Sequence, residues 1–536
     1  MKQAFMQAKL REQFHGKKIN LKLVFNQQKK QCFNAKNKKI KRMKNNKLFI
    51  VLLPFLLLMV AGCSDFLDRK PLGSATEGDL TVGGVEGKVF GLYGNLRDDG
   101  MTGLPMVFMH VMRSDDAIKG STVTDGAGYE QMADYFKYDK ADGWLTLGYW
   151  NDHYKLIYAC NDILHDLDSL KLNSDGDKIN QAEAKFFRAY AYFDLVRTFG
   201  EVPKIDFKIY NIGDANIQKS TVPQIYALID QDLDFAASHL PSGWVSTYTG
   251  RVTSGTANTL WAKTKLYRKD WAGALAKSEL VINSGKYSLL DSYEKFFTEK
   301  GENSSESILE VQQYVSANGS VSYSNNCNGA QGVRGSGDWD LGWGWNVPSK
   351  ALVDSYESGD PRKTTTILES GGPDGYGLTV PASLATIQPY WNRKVYSDPA
   401  RRSSSGIKYA NWLNIRLLRY ADVLLMAAEA ANELGGTPNT TKALAYVEMI
   451  RARARGTANV LPKVTVTDQA ALRTAIKKER RAEFAMEYER FFDLVRWGDA
   501  PEILGAAGYT AKCQYYPIPQ SIIDKAQGKL TQNPNW

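Results

Sequence analysis

Histidine and cysteine are scarce in this sequence, five of each among 536 residues. His15, His110, His153, His165 and His239 are scattered, and His153 and His165 stand too far apart in one helical stretch to share a metal. Cys32, Cys63, Cys160, Cys327 and Cys513 are widely spaced, so neither a zinc pattern nor a disulfide framework can be read from them. His-Glu-x-x-His, a nucleotide P-loop and Cys-x-x-Cys are all missing. Gly335-Ser336-Gly337 lacks the strand-turn-helix setting of a dinucleotide loop. Asn173, Asp175 and Asp177 alternate, but the full calcium-loop pattern is absent and turn chemistry accounts for them. No metal, no cofactor and no catalytic residue is therefore expected. Paired carboxylates for glycoside cleavage leave no linear signature, and nothing positive points to them.

A basic nucleic-acid surface is lacking too, although the formal charge is +9. Residues 1–62 hold 15 Lys or Arg and one acid, Glu12, which leaves 52 basic and 57 acidic residues from Cys63 onward. The body is thus about −5.

The basic excess belongs to a targeting segment. Met43 opens a short positive stretch, and Leu48 to Ala61 is an apolar run too short for a comfortable membrane span. Val60-Ala61-Gly62-Cys63 reads as a lipoprotein box, with Cys63 as the lipidated residue. Residues 1–42 precede a complete signal peptide, so translation from Met43 is expected. Acyl chains on Cys63 would hold the protein to a membrane at about 0.8 kcal/mol per buried CH₂.

What is abundant is helical periodicity. In Ala182–Pro203 the residues Ala182, Phe186, Ala189, Phe193, Val196 and Phe199 draw one apolar stripe. Tyr190 and Tyr192 widen it, Gly200 and Pro203 end it, and the helix should be gripped on more than one side. Helices are also expected at 85–96, 150–170 and 221–240, then in pairs at 256–267 with 271–282 and at 419–434 with 441–454. Ala262, Tyr267, Trp271, Ala274 and Leu275 are spaced like the second half of a tetratricopeptide repeat. One Arg- and Glu-rich helix is expected over 472–496, its charges forming a salt-bridged face. Phe-Asp-Leu-Val-Arg occurs twice, at Phe193 and at Phe492. Residues 301–409 are instead rich in Gly, Ser, Asn, Pro and aromatics, with a strand expected in Ser307–Val315 and a short helix at 350–356.

Several segments in order resemble the SusD/RagB family of outer-membrane nutrient-binding lipoproteins of Bacteroidetes. They are the lipobox at Cys63, the Ala182–Pro203 helix, Leu352–Leu368, the segment from Ile415, ERRAEFAMEYERFFDLVRWG from Glu479, YPIPQSIIDK and the terminal QNPNW. The resemblance spans nearly all of 63–536. It implies a mainly α fold, tetratricopeptide-like helix pairs forming a superhelical scaffold, with a loop-rich capping subdomain. The expected layout is a signal segment at 1–62 and one domain at 63–536, with scaffold at 85–300 and 410–500 and a ligand-facing insertion at about 301–409. It further implies a surface-exposed outer-membrane lipoprotein that binds oligosaccharide for a SusC-like TonB-dependent transporter, without catalysis. The alternative is a helical-repeat envelope scaffold that binds peptide or protein for uptake.

Aromatic side chains carry the binding expectation. Sugars offer apolar C–H faces to rings and hydroxyl edges to amides and charges. Family platforms fall in the loop after Ser114-Asp115-Asp116 and in the loops between the second and third helix pairs. By that placement Tyr323, Asn325, Trp339 and Trp345 are candidates, with Tyr129 and Tyr135 opposite. Trp343 and Trp345 also fit a packed core. Trp339, in a Gly- and Asp-rich run without apolar periodicity, is expected to be free of the core.

Overall fold

The computed structural model describes residues 84–141, 143–384 and 387–536. The signal peptide from Met43, the upstream segment and lipidation at Cys63 lie outside the described residues.

Helix α1 (Gly84–Asn95) comes first. A π-helical turn at Phe108–Met112 leads to strand β1 (Ala117–Gly120). Two 25-residue helices follow, α2 (Leu145–Ser169) and α3 (Asp175–Phe199). Then come α4 (Val222–His239), α5 (Ser254–Tyr267) and α6 (Trp271–Asn283). Short strands punctuate the middle: β2 (Ser307–Val311), β3 (Tyr314–Val315), β4 (Ser322–Tyr323) and β5 (Trp345–Pro348). After β6 (Ile367–Glu369), β7 (Tyr390–Asn392) and β8 (Ile415–Arg419), helices resume. These are α7 (Tyr420–Leu434), α8 (Thr437–Arg455), α9 (Gln469–Phe484) and α10 (Arg490–Trp497). The fold is mainly α. Helix α3 packs on both α2 and α4, α5 pairs with α6, α7 pairs with α8, and α6 lies against α7.

Helix α3 shows why the pairs hold. Ser174 and Asp177 cap its start reciprocally, and that cap is the work of the alternating Asn173–Asp177 segment. Gly200, at φ 74°, ends it in a conformation that side-chain-bearing residues avoid. The stripe from Ala182 to Phe199 is buried, and so are Phe187, Tyr190, Tyr192 and Leu195 on its flanks. The helix is therefore gripped on several sides, and its polar residues need buried partners. Arg188 donates to Asp232 and to Asn161, while Glu183 accepts from Arg251.

The expected helix over 472–496 is two helices. It breaks after Phe484, and Met486 takes φ 64°. Continuing the helix would need the Glu483 carbonyl for the amide of Glu487. That carbonyl instead accepts from Tyr293 Oη, Lys394 Nζ and Arg419 Nη2. The break brings Glu483 and Glu487 together on the Arg419 guanidinium. Arg362 and Arg453 complete a buried ionic cluster around Glu483. The cluster ties the middle of the chain to α8 and α9. Burial raises the Glu483 carboxyl, but Arg453, Arg419 and Arg362 more than reverse this and hold it far below the usual range.

Among the described residues no helix is long and apolar enough to cross a membrane.

Candidate functional site

Two strands join the loops that carry the candidate aromatics. β1 pairs antiparallel with β5, Ala117 opposite Pro348 and Gly120 opposite Trp345. The loop after β1 is thereby fixed against the chain before β5. Its base is clamped from below. Arg490 of α10 reaches Asp115 through two hydrogen bonds of 2.7 and 2.8 Å, and Arg481 of α9 reaches Asp116 at 2.7 Å. Ser349 Oγ donates to the Asp115 carbonyl at 2.6 Å.

Within the loop, Lys119 is buried and donates Nζ to the carbonyls of Thr122 and Asp125. Gly126, at φ 66°, lies against Trp345: a Cβ there would come within 2.7 Å of the indole. Trp345 Nε1 donates to Asp125 at 3.1 Å, and Arg334 Nη1 donates to Ser121 and to the same carboxylate. Burial raises the Asp125 carboxyl, but the bonds from Ser121, Trp345 and Arg334 outweigh it and leave Asp125 below the usual range.

Tyr129, Trp144 and Trp345 form a three-ring group. Tyr129 lies 5.4 Å from Trp144 and 5.9 Å from Trp345, and Trp144 lies 6.2 Å from Trp345. Trp345 is buried within the group and Tyr129 half-buried, whereas Trp144 is 39% exposed. Trp345 therefore builds the platform and cannot be its face, a correction to its placement among ligand-facing residues.

A second group stands on the β3–β4 ribbon. Tyr314 is directly opposite Tyr323, so both rings lie on one face of the ribbon. They are 54% and 59% exposed, and the Arg97 guanidinium lies 6.0 Å from the Tyr323 ring centre. Asn325, two residues on, is buried. Its Nδ2 donates to Thr102 and its Oδ1 accepts from the Cys327 amide. It shapes the loop and is not available to a ligand, a second correction.

Polar contacts run from one group to the other. Asn411 Nδ2 donates to the exposed Asn326, and Asn411 Oδ1 accepts from Gly329 N. Gly329 O accepts from Trp343 N at 3.0 Å, and Arg334 Nη1 donates to Trp343 O at 3.5 Å. The surface between Tyr323 and Trp144 thus carries an amide pair, a half-buried indole at Trp343 and an arginine held by a carboxylate.

Trp339 belongs elsewhere. Its ring stacks parallel to buried Tyr396, centres 6.1 Å apart, and Arg402 covers Tyr396 from 4.6 Å. Trp339 is half-buried against the cluster of Val333, Leu341 and Trp391, so the expectation that it stands clear of the core is corrected. Tyr135 is 46% exposed, with Lys137 Nζ 5.9 Å from its ring centre. Its contacts join it to none of the other candidates.

Residues 305–536 match the model of the SusD family, and residues 95–266 match a model described as "Starch-binding associating with outer membrane". The chain is similar to SusD-like protein P2 of Formosa agariphila, at 26% identity over 514 residues, 90% of this chain and 98% of that protein. It is similar to starch-binding protein SusD of Bacteroides thetaiotaomicron, at 24% identity, 69% of this chain and 75% of that one. A solved structure titled laminarin binding SusD-like protein superposes with a TM-score of 0.71 at 28% identity, covering 84% of this chain and 99% of that one.

Proposed function

The chain belongs to the SusD/RagB family, and from that premise we propose that it is a non-catalytic, surface-exposed lipoprotein of the outer membrane. It captures an oligosaccharide on the face between Tyr323 and Trp144 and delivers it to a SusC-like TonB-dependent transporter. The observation that carries this reading is the pairing of exposed rings with fixed polar groups. Tyr314, Tyr323 and Trp144 offer ring surface to sugar C–H faces, and the Asn326–Asn411 pair and Arg334 between them offer partners to hydroxyls. The related proteins named for starch and laminarin support the same class of ligand. Trp339 and Tyr135, set apart from this face by their own neighbours, stay as proposed ligand contacts in their own right.

Catalysis is not part of the proposal. Glycoside cleavage needs a carboxyl that stays protonated near neutral pH. Asp125 is driven the other way by Arg334, Ser121 and Trp345, and Asp134, which burial pushes up to about 7, has both oxygens on the Lys119 amide.

Affinity electrophoresis of the body from residue 64 through gels containing starch, laminarin, xylan, mannan or pectin tests the proposal. Retardation by one polysaccharide, without release of reducing ends, is expected. Free migration through all of them, with capture of peptides instead, would overturn it.

A further inference from the structure

The scaffold holds a cavity that shares no residue with the ring-lined face. It measures about 470 Å³ and lies between α3, α4, α5, α10 and the Gln514–Tyr515 segment. Both copies of Phe-Asp-Leu-Val-Arg frame it. The first contributes Val196 and Arg197, the second Phe492, Val495 and Arg496. Each copy closes on itself through an ion pair, Arg197 with Asp194 and Arg496 with Asp493. The copies meet where the Arg197 guanidinium lies 4.2 Å from the Phe492 ring centre. The repeat thus builds two matching walls, each with apolar valine and a neutralised arginine.

Charge and polarity select the kind of occupant. Arg268 is bound to Asp230 by two hydrogen bonds of 2.7 Å, so each lining arginine has a carboxylate partner. The cavity therefore has little call for an anion. It does not suit a purely apolar ligand either. Tyr226 lines the cavity, is only 8% exposed, and its hydroxyl has no hydrogen-bond partner among the described residues. A hydroxyl on the cavity wall without such a partner is free to bond an occupant in place of water. The Gln514 side chain and the outer edge of the Asp230–Arg268 pair supply further donors and acceptors beside it.

We propose that this cavity is a second carbohydrate site, taking a neutral mono- or disaccharide. The partly exposed Val222, Val495 and Tyr515 receive the apolar face of a sugar ring, over a floor that includes the buried Phe492, while Tyr226, the Asp230–Arg268 pair and Gln514 receive its hydroxyls. The volume lies in the range of about 300–1,000 Å³ usual for small-molecule pockets, which suits a short sugar and not an enclosed polysaccharide. The proposal rests on the glycan-binding reading only for its ligand class.

Ligand-observed NMR on the body from residue 64 tests it, with glucose, galactose, mannose, xylose, maltose, cellobiose and laminaribiose as probes. Three variants separate the sites. Ala227→Trp fills the mouth from an exposed position on α4, where a large side chain is tolerated. Tyr226→Phe removes the hydroxyl alone, and Tyr323→Ala with Trp144→Ala disables the ring-lined face. We expect at least one probe to bind wild type, to be lost in Ala227→Trp, and to weaken by about threefold to tenfold in Tyr226→Phe. The ring-face variant should bind it as wild type does, and Ala227→Trp should still bind polysaccharide. No binding of any probe to wild type, as for a cavity holding water only, would overturn the proposal. So would equal binding in both cavity variants, or loss confined to the ring-face variant. Polysaccharide binding absent throughout, with the short sugar still lost in Ala227→Trp, would uphold this site and sink the capture reading instead.

Discussion

Arg490 holds Asp115 through two parallel hydrogen bonds of 2.7 and 2.8 Å, joining residues 375 positions apart. The pair is nearly buried, and it sets the root of the loop that carries Tyr129 and ends at Trp144. Each end has other partners: Arg481 also reaches Asp115, and Arg490 also faces Asp116. Burial raises the Asp115 carboxyl, and the two arginines bring it below its usual range.

Arg490→Met should therefore leave a buried carboxylate short of a partner and cost about 2–4 kcal/mol of stability. Sugar binding should fall with it as the loop loses its anchor. Urea denaturation read beside affinity on the same variant checks this. A loss below about 0.5 kcal/mol would show that Arg481 alone suffices.

Much of the scaffold was legible. The stripe of α3 and its stop at Gly200 are local signals, because burial and capping act within one helix. The break at Phe484 was not, because the donors that claim the Glu483 carbonyl, Tyr293, Lys394 and Arg419, come from distant parts of the chain. The same holds for the site. Trp144 follows a polar run with no pattern to mark it, and its neighbours Tyr129 and Trp345 are set by the β1–β5 pairing. Tyr314 could have been found. Asn318-Gly319 between Val315 and Val321 is a hairpin signal, and it places Tyr314 opposite Tyr323. Asn325 misled because an asparagine that could meet a hydroxyl serves equally to bind its own loop.

Acidity offers a second check on the same loop. Asp134 accepts from the Lys119 amide at 2.9 Å, yet burial dominates and pushes its carboxyl up to about 7. Its folded-state value lies above the unfolded one, so the stability it lends is full below about pH 4 and is lost as pH rises toward 7. Asp134→Asn should flatten the melting profile across that window. An unchanged slope between pH 4 and 7 would place the titration elsewhere.

Trp339 separates packing from binding. Because it stacks on Tyr396 while half-buried, Trp339→Ala should cost about 1–2 kcal/mol of folding stability, less than the ~3–5 expected of a fully buried tryptophan. Calorimetric melting and polysaccharide affinity measured together will apportion its role. A stability loss with affinity intact removes it from the site, and a loss of affinity at constant melting temperature contradicts the packing described.

Anchoring is tested at Cys63. Cys63→Ala should abolish palmitate labelling and move the protein from the detergent phase to the aqueous phase, because the acyl chains supply the membrane affinity. Labelling that persists in the variant would refute the lipobox.

The most direct test of the account is the affinity of the Tyr323→Ala, Trp144→Ala double variant for the polysaccharide that retards wild type. Tyr323 is 59% exposed, and Trp144, 39% exposed, gives up its contacts with Tyr129 and Trp345, so their removal should lower stability by about 1–2 kcal/mol and leave the fold intact. Titration calorimetry should show affinity reduced at least about tenfold, each ring anchor contributing on the order of 1 kcal/mol or more. An affinity equal to wild type, in a variant that keeps its cooperative unfolding, would contradict the assignment of this face.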